Sequence, residues 1–174
     1  IGYSGTQYPA GREGWWSGDH ERPREAEKRT WTNSSFTEPF EGNIRRARLN
    51  ISGGATIYKI EDTTSNLFDA DVNHRWGNYS LQRILRDSIQ ILNFRMRNKG
   101  KSWNSDGGDG NRVDIRLNSK PLWDISLETG AGETDFDLTP FKISTLEVKG
   151  GAASFDLKLG EPVSTTTVSA ETGV

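Results

Sequence analysis

The chain has 174 residues, no cysteine and a formal net charge of −2 at neutral pH. This length suits one domain with a core of its own, and the small net charge gives no basic field of the kind that nucleic-acid binding needs. The absence of cysteine excludes disulfides, thiolate metal ligands and cysteine nucleophiles. Hydrophobic residues make up only 32% of the chain and glycine is frequent at 19 residues, which is typical of a β-rich protein with many turns.

The first segment, residues 1–38, is polar and irregular, and we predict that it is an N-terminal arm or linker. Its tryptophans, Trp15, Trp16 and Trp31, are expected to pin it to the body of the protein. The remaining segment, residues 39–174, is predicted to be a single β-repeat domain.

Strand signals follow in chain order. Arg48–Ile60 predicts two short strands joined by a tight Gly-Gly-Ala bend. The second half of Ser80–Asn98 predicts a strand with one bulge, while its first half is compatible with a helical turn. Asn104–Asn111 reads NSDGGDGN, and alternating runs end near Lys99 before it and fill Arg112–Leu117 after it. These three segments together predict a β-hairpin.

A repeat is the strongest pattern in the sequence. Leu49–Ile60, Leu127–Leu138 and Leu146–Leu157 align without a gap. Apolar residues at alternating positions of a short repeat predict coils that stack at about 4.8 Å. The shared positions predict corner glycines and internal core ladders. The corner glycines are Gly53, Gly54, Gly130, Gly132, Gly150 and Gly151, and the ladders are Tyr58, Phe136 and Phe155, with Ile60, Leu138 and Leu157.

The same alignment stacks outward charges. It places Glu128 over Glu147 and Asp137 over Asp156, which is unfavourable unless water or a nearby lysine compensates. A partial further copy, Val168–Gly173, echoes the segment that starts at Ile125. The chain begins without methionine and stops inside this copy. We therefore expect both ends to be cut, with the repeat domain truncated at the C-terminus, and further repeats beyond Val174 are left open.

The segments Leu49–Ile60, Trp123–Leu138 and Leu146–Leu157 resemble the toast-rack N-terminal domain family of bacterial envelope proteins, in the neighbourhood of LiaF-like and candidate-adhesin families. The resemblance covers the chain from about residue 40. It implies a right-handed β-solenoid-like stack of short coils, an extracytoplasmic location and a membrane anchor outside this sequence. The family has no known function, so the resemblance implies no activity.

Catalytic, cofactor-binding and metal sites are not predicted. His20 and His74 lie in unlike segments without a third ligand at zinc spacing, and no nucleophile-elbow, dinucleotide or phosphate-loop motif occurs. The acidic turn Asn104–Asn111 could bind calcium, but a plain turn is favoured because a late acidic ligand is missing.

Two surface clusters remain as candidates. Asp135, Asp137 and Asp156 could form the carboxylate cluster of a polysaccharide-degrading β-solenoid, although outward positions of amphipathic strands explain them better. The basic cluster of Arg45, Arg46 and Arg48 could contact an anionic wall polymer or lipid, although a charged strand edge is the commoner case.

We therefore predict an all-β, solenoid-like domain with an inserted hairpin region. Its predicted function is non-catalytic interaction or scaffolding in the cell envelope, including adhesion or envelope-stress sensing. A protein or wall polymer is the expected partner, self-association through strand edges is open, and a carbohydrate-active enzyme is the alternative. No cofactor or nucleic acid is expected.

Overall fold

The computed structural model describes residues 30–97 and 110–173, and every regular element in these two ranges is a β-strand. The strands form one open sheet in the order β1-β3-β6-β2-β7-β8-β9, with β5 pairing both β2 and β4. This confirms the predicted all-β fold. The strands are β1 (Thr32–Glu38), β2 (Arg46–Thr63), β3 (Phe68–His74), β4 (Asn78–Arg86), β5 (Ile89–Arg97), β6 (Asn111–Leu117), β7 (Leu122–Leu138), β8 (Lys142–Leu159) and β9 (Thr167–Thr172).

Strands β7 and β8 show that the sheet is a stack of coils. They are parallel neighbours, with Leu122 beside Lys142 and Leu138 beside Leu159, yet only residues 139–141 separate them in the chain. A straight strand as long as β7 would span about 56 Å, which three residues cannot bridge. Each strand therefore folds back on itself, and one turn of the stack takes about 20 residues.

The fold-back occurs at the corner glycines. A Cβ added to Gly53 would lie 2.2 Å from the Tyr58 hydroxyl oxygen, and one added to Gly150 would lie 2.9 Å from the Phe155 ring. In a straight strand, positions five residues apart are about 16 Å apart. The bend predicted at Gly-Gly-Ala is thus present, but it lies inside the continuous strand β2 rather than between two strands.

Strand β2 organises the molecule into two half-sheets. Its first half, Arg46–Ser52, pairs with β5, and its second half, Thr56–Thr63, pairs with β6, while β7 follows it on the other side. We call β4, β5, β9 and the first halves of β2, β7 and β8 the first half-sheet. The second half-sheet consists of β1, β3, β6 and the remaining halves. The core includes side chains from both, among them Leu49, Phe94 and Trp123 from the first and Ile60, Phe68 and Phe136 from the second.

The hairpin predicted around Asn104–Asn111 is wrong. The strands on either side of it, β5 and β6, do not pair with each other, because each lies parallel to a different half of β2. Residues 98–109 lie outside the described residues. The inserted hairpin is instead β4–β5, which turns at Asp87 and Ser88, with φ of 50° and 65°. Strand β4 lies where the sequence is compatible with a helical turn, and β5 pairs with it without a shift in register, so the predicted bulge is absent from these two strands.

The predicted ladders are offset by two residues from the observed register. Leu127 lies beside Val148 rather than Leu146, and Phe136 lies beside Leu157 rather than Phe155. The same offset applies to the third copy, because Leu127 lies beside Ile51 rather than Leu49. A shift of two keeps every side chain on its face of the strand, so the alternation alone could not reveal it. The partial copy is in the predicted register, since Ile125, Leu146 and Val168 are successive neighbours.

The corrected register also removes most of the predicted stacking of like charges. Glu128 lies beside Lys149, and Asp137 lies beside Lys158, so opposite charges meet where the gapless alignment placed two carboxylates. Asp135 and Asp156 are the exception, because these two carboxylates occupy neighbouring positions on β7 and β8. Glu147 lies beside the uncharged Ser126.

The sheet begins within the segment predicted to be an arm. Thr32–Glu38 is strand β1 and pairs antiparallel with β3 along its whole length. Next to it, Trp31 lies under the Arg75 guanidinium, 4.4 Å from its ring, in line with its predicted role as an anchor. Trp15 and Trp16 lie outside the described residues.

Candidate interaction surfaces

The acidic candidates lie on the outer face of paired strands. Asp135, Asp137 and Asp156 project from the second half-sheet, between inward-facing residues such as Phe136. Asp135 contacts the Lys59 ammonium at 3.5 Å, and Asp156 is exposed. Asp135 and Asp156 are neighbours on paired strands, but none of the three carboxylates lines the groove at Arg46 and Asp124 or the one at Glu128 and Lys149, whereas a glycoside hydrolase holds its pair of carboxyl groups around a bound glycan.

The environment of Asp137 also argues against a role as a general acid. Its Oδ1 accepts hydrogen bonds from the Thr139 hydroxyl, at 2.6 Å, and the Thr139 backbone N–H, at 3.1 Å. These two bonds lower the pKa of Asp137 below its ordinary value. A carboxyl group that donates a proton near neutral pH requires the opposite shift.

Charges on this face pair with one another, both across strands and along a single strand. Arg116 contacts Asp71 at 2.8 Å, and Arg112 contacts Asp114 at 2.7 Å. The row that runs through Asp71 and Asp114 continues across Lys59, so cations interrupt the carboxylates. Although this face is acidic, the described part of the chain contains no group of three or more His, Asp or Glu arranged to hold a metal ion.

The basic cluster lies on the first half-sheet, beside a buried carboxylate. Arg46 and Arg48 contact Asp124 at 3.3 Å and 3.5 Å, and the Asp124 side chain is only 11% exposed. These residues line a shallow polar groove of about 350 Å³, together with Asn50 and Glu147. Sequence reasoning found the arginines but missed Asp124, which lies far from them in the chain.

Asn111, the last residue of the candidate calcium turn, is a buried structural residue. Its amide donates to the Trp76 carbonyl at 2.9 Å and to the Tyr79 hydroxyl at 3.1 Å, and its Oδ1 accepts from the Arg75 N–H at 3.0 Å. All the polar atoms of its side chain are thus engaged inside the fold. Residues 104–109 lie outside the described residues, so calcium binding by this turn stays untested.

The structure describes one of the two histidines, His74, and gives it a structural environment. His74 is buried at the end of β3, where its ring packs against Tyr79 at 5.6 Å and its Nε2 lies 3.4 Å from the Ser34 hydroxyl. His20 lies outside the described residues.

One edge of the stack is open. Strand β9 covers only Thr145–Gly150, so the second half of β8 has no further strand beside it among the described residues. The inward-facing Phe155 and Leu157 are only half-buried there, and Leu159 is 39% exposed. Across the described ranges, no helix is long and apolar enough to cross a membrane.

Comparison with known proteins agrees with this architecture. A family model described as "N-terminal domain of toast_rack, DUF2154" matches residues 21–174. A solved structure of a candidate cell adhesion protein from Clostridium sporogenes ATCC 15579 superposes with a TM-score of 0.76 at 21% identity, over 83% of this chain and 69% of that one. A candidate adhesin from Bacteroides fragilis NCTC 9343 aligns over 83% of this chain and 94% of that one, at 10% identity and a TM-score of only 0.28. No curated protein sequence matches significantly.

Proposed function

The chain belongs to the family of toast-rack N-terminal domains, and from this premise we propose that it is a non-catalytic interaction or scaffold domain of the cell envelope. In this proposal the domain lies outside the cytoplasm and serves adhesion or the sensing of envelope stress. The observation that carries the proposal is the charged outer face of the second half-sheet. There Asp135, Asp137 and Asp156 project from paired strands and line neither of the two grooves described above.

Such a face suits docking better than chemistry. Paired strands hold its charged side chains at a spacing of about 4.8 Å, so it presents a fixed charge pattern at little further entropic cost. The pattern favours as partner a protein or wall polymer that carries a complementary row of cations. Electrostatic complementarity of this kind favours a correct register and fast association.

Site-specific photo-crosslinking in cells of the native host tests the proposal. A photoreactive residue replaces the exposed Asp156 on the second half-sheet. The matched control replaces Asn43, which is exposed in the turn before β2. We expect a discrete cross-linked product with one envelope component at Asp156, and a much weaker one at Asn43. Equal, diffuse labelling at both positions would contradict the proposal.

The enzyme alternative has its own test. Purified chain is incubated with wall glycans, and released reducing ends are measured for the parent and for the double variant Asp135→Asn/Asp156→Asn. The control is Asp114→Asn, which lies on the same face. We expect no release from any of them. Turnover by the parent that the double variant lacks and Asp114→Asn retains would replace the scaffold proposal.

Self-association is a second candidate, favoured by the open edge of β8. A strand of another copy could add beside its second half and cover Phe155 and Leu157. Replacing Leu157 with Lys would place a charge at that contact and weaken association. The exposed Val163→Lys is the control. Sedimentation analysis showing a monomer at all accessible concentrations would remove this candidate.

A further inference from the structure

The outer face of the first half-sheet ends in a row of alternating basic and apolar side chains. Neighbouring strands place Arg86 beside Ile89, Ile89 beside Arg46, Arg46 beside Leu122 and Leu122 beside Lys142. Five strands at about 4.8 Å spacing make this row about 19 Å long. We call these five residues the basic rim.

The rim side chains point away from the core. The residues that follow Arg46 and Leu122 in their strands, Ala47 and Trp123, are fully buried, and successive side chains of a strand face opposite sides. The three basic residues of the rim are exposed, whereas Ile89 and Leu122 are half-buried. The rim therefore offers cations at its surface with apolar side chains between them.

More apolar surface adjoins the rim at the β4–β5 hairpin. Ile84 and Ile91 are paired neighbours beside the rim, and both are half-buried outside the core cluster. At the same hairpin end, Leu85 precedes Arg86 and therefore projects from the opposite face of β4; it is 69% exposed, the largest value for a large apolar side chain in the described part of the chain. The isoleucines on the rim's face, which lie beside Arg46 and Arg86, form apolar surface of the kind that borders an interaction site.

The charges of the molecule favour one orientation. Near the rim, Asp124 is already paired with Arg46 and Arg48, Glu147 is paired with Lys149, and Asp87 is the acidic residue of the hairpin turn. The carboxylates of the second half-sheet, such as Asp156, lie on the outer face of the other layer. A negatively charged surface would therefore attract the rim and repel the opposite face.

We propose that the basic rim and the end of the β4–β5 hairpin bind the surface of an anionic lipid bilayer. The arginines and Lys142 would contact lipid phosphates, and the end of the hairpin, which carries Leu85 on its other face, would enter the apolar side of the interface. A soluble polyanion would use the cations but gain nothing from Leu85, and this is why the observations favour a bilayer. The inference rests on the extracytoplasmic location within the proposed function, but not on any partner of the second half-sheet.

Co-sedimentation of the purified chain with vesicles tests the proposal. Phosphatidylcholine vesicles with about one-third phosphatidylglycerol are compared with pure phosphatidylcholine vesicles at physiological ionic strength. We expect binding only to the anionic vesicles. Arg86→Glu and Lys142→Glu should each lower the affinity about 20-fold, because each reverses one charge close to the surface. The matched control Arg95→Glu, on the neighbouring strand but far from the rim, should change it less than about threefold.

A second pair of variants separates a bilayer from a polymer. Leu85→Thr should weaken vesicle binding about fivefold, while Val163→Thr, at another exposed apolar residue, should not. Equal losses for Arg86→Glu and Arg95→Glu would overturn the proposal. The proposal would also be overturned if Leu85→Thr bound vesicles as well as the parent and the parent bound soluble polyphosphate tightly through the rim. That result would indicate a polymeric partner. Neither failure would alter cross-linking at Asp156, so the proposed function is tested separately.

Discussion

At the scale of single residues, the stack depends on glycines that lie against the backbone of the neighbouring coil. Gly132 has a φ of +126°, and a Cβ there would lie 2.2 Å from the Thr56 carbonyl oxygen. We expect Gly132→Ala to lower the free energy of unfolding by at least about 3 kcal/mol, because the substitution adds backbone strain to a clash that no side-chain movement can relieve. Urea denaturation followed by tryptophan fluorescence measures this loss.

The control for this substitution is Gly42→Ala. A Cβ at Gly42 would have no atom within 4 Å, and its φ lies outside the region that favours glycine. The control should therefore shift the free energy of unfolding by less than about 0.5 kcal/mol. If Gly132→Ala changed the free energy of unfolding as little as the control does, the close approach of Gly132 to the Thr56 backbone would be contradicted.

Asn111 is the second residue on which local structure depends. Asn111→Ala should cost about 2–3 kcal/mol of stability, since it leaves the Trp76 carbonyl and the Arg75 N–H without their partner. The measurement is the same denaturation, with Asn73→Ala as the control, because within the described ranges the Asn73 side chain bonds only the exposed Asn33 side chain. A loss no larger than that of the control would contradict the structural role of Asn111.

The difference between predictable and unpredictable residues is physical. Gly132 could be predicted from the sequence, because a glycine that recurs inside a strand-like alternation of apolar residues indicates a sharp bend or a close approach of two backbones. Asn111 and Asp124 could not be found, because an asparagine after a glycine-rich turn is indistinguishable from an ordinary turn residue. Their burial depends on which strand lies beside β6 and β2, and this information is not local in the sequence.

At the scale of elements, the β4–β5 hairpin is built on a strained turn. Asp87 and Ser88 both have positive φ, a combination that favours Asn-Gly over Asp-Ser. The double variant Asp87→Asn/Ser88→Gly should therefore raise the free energy of unfolding by about 1 kcal/mol. Ser80→Gly, within β4, is the control and should lower it. A loss of stability in the turn variant would show that the turn lies elsewhere.

The junction of β1 and β3 makes stability depend on pH. Burial tends to raise the pKa of Asp69, but hydrogen bonds from Thr64, Thr37 and Asn66 together lower it below its ordinary value of 3.8. A carboxyl group with a depressed pKa stabilises the folded state fully above the unfolded-state pKa, and it loses this contribution as the pH falls through its folded-state pKa. We therefore expect stability to be constant near neutral pH and to decline below about pH 4.

Denaturation between about pH 7 and pH 2 measures this dependence. Asp69→Asn should be less stable than the parent at pH 7 and should show a shallower decline in acid, because its side chain has no proton to bind. Asn43→Ala, an exposed substitution that removes no titratable group, should retain the slope of the parent. An unchanged slope in Asp69→Asn would assign the acid sensitivity to other carboxyl groups.

The errors in the predicted elements have a common cause. Alternation correctly predicted strands at Arg112–Leu117 and around Ile89, but it carries no information about which strands pair. The Gly-rich segment between them predicted a hairpin, whereas both strands instead lie beside β2. Parallel pairing with the long central strand β2 is favoured over pairing between β5 and β6, and no local turn signal can reveal this.

At the scale of the whole molecule, the register between coils decides which surface the protein presents. The observed register places Asp135 beside Asp156, whereas the gapless repeat alignment placed Asp137 there. These alternatives leave the alternation of buried and exposed residues unchanged, but they produce different charge patterns on the second half-sheet. A direct test of the register is therefore also a test of the proposed interaction face.

Because the chain contains no cysteine, engineered disulfides can provide that test without interference. Neighbouring positions on paired strands are about 5 Å apart, within the range that a disulfide spans. Positions offset by two residues are about 8 Å apart, which is too far. Under mild oxidation, Asp135→Cys/Asp156→Cys should form an intramolecular disulfide, and Asp137→Cys/Asp156→Cys should keep its thiols free. The opposite outcome, measured by thiol titration and mass spectrometry, would restore the gapless alignment and its rows of like charge.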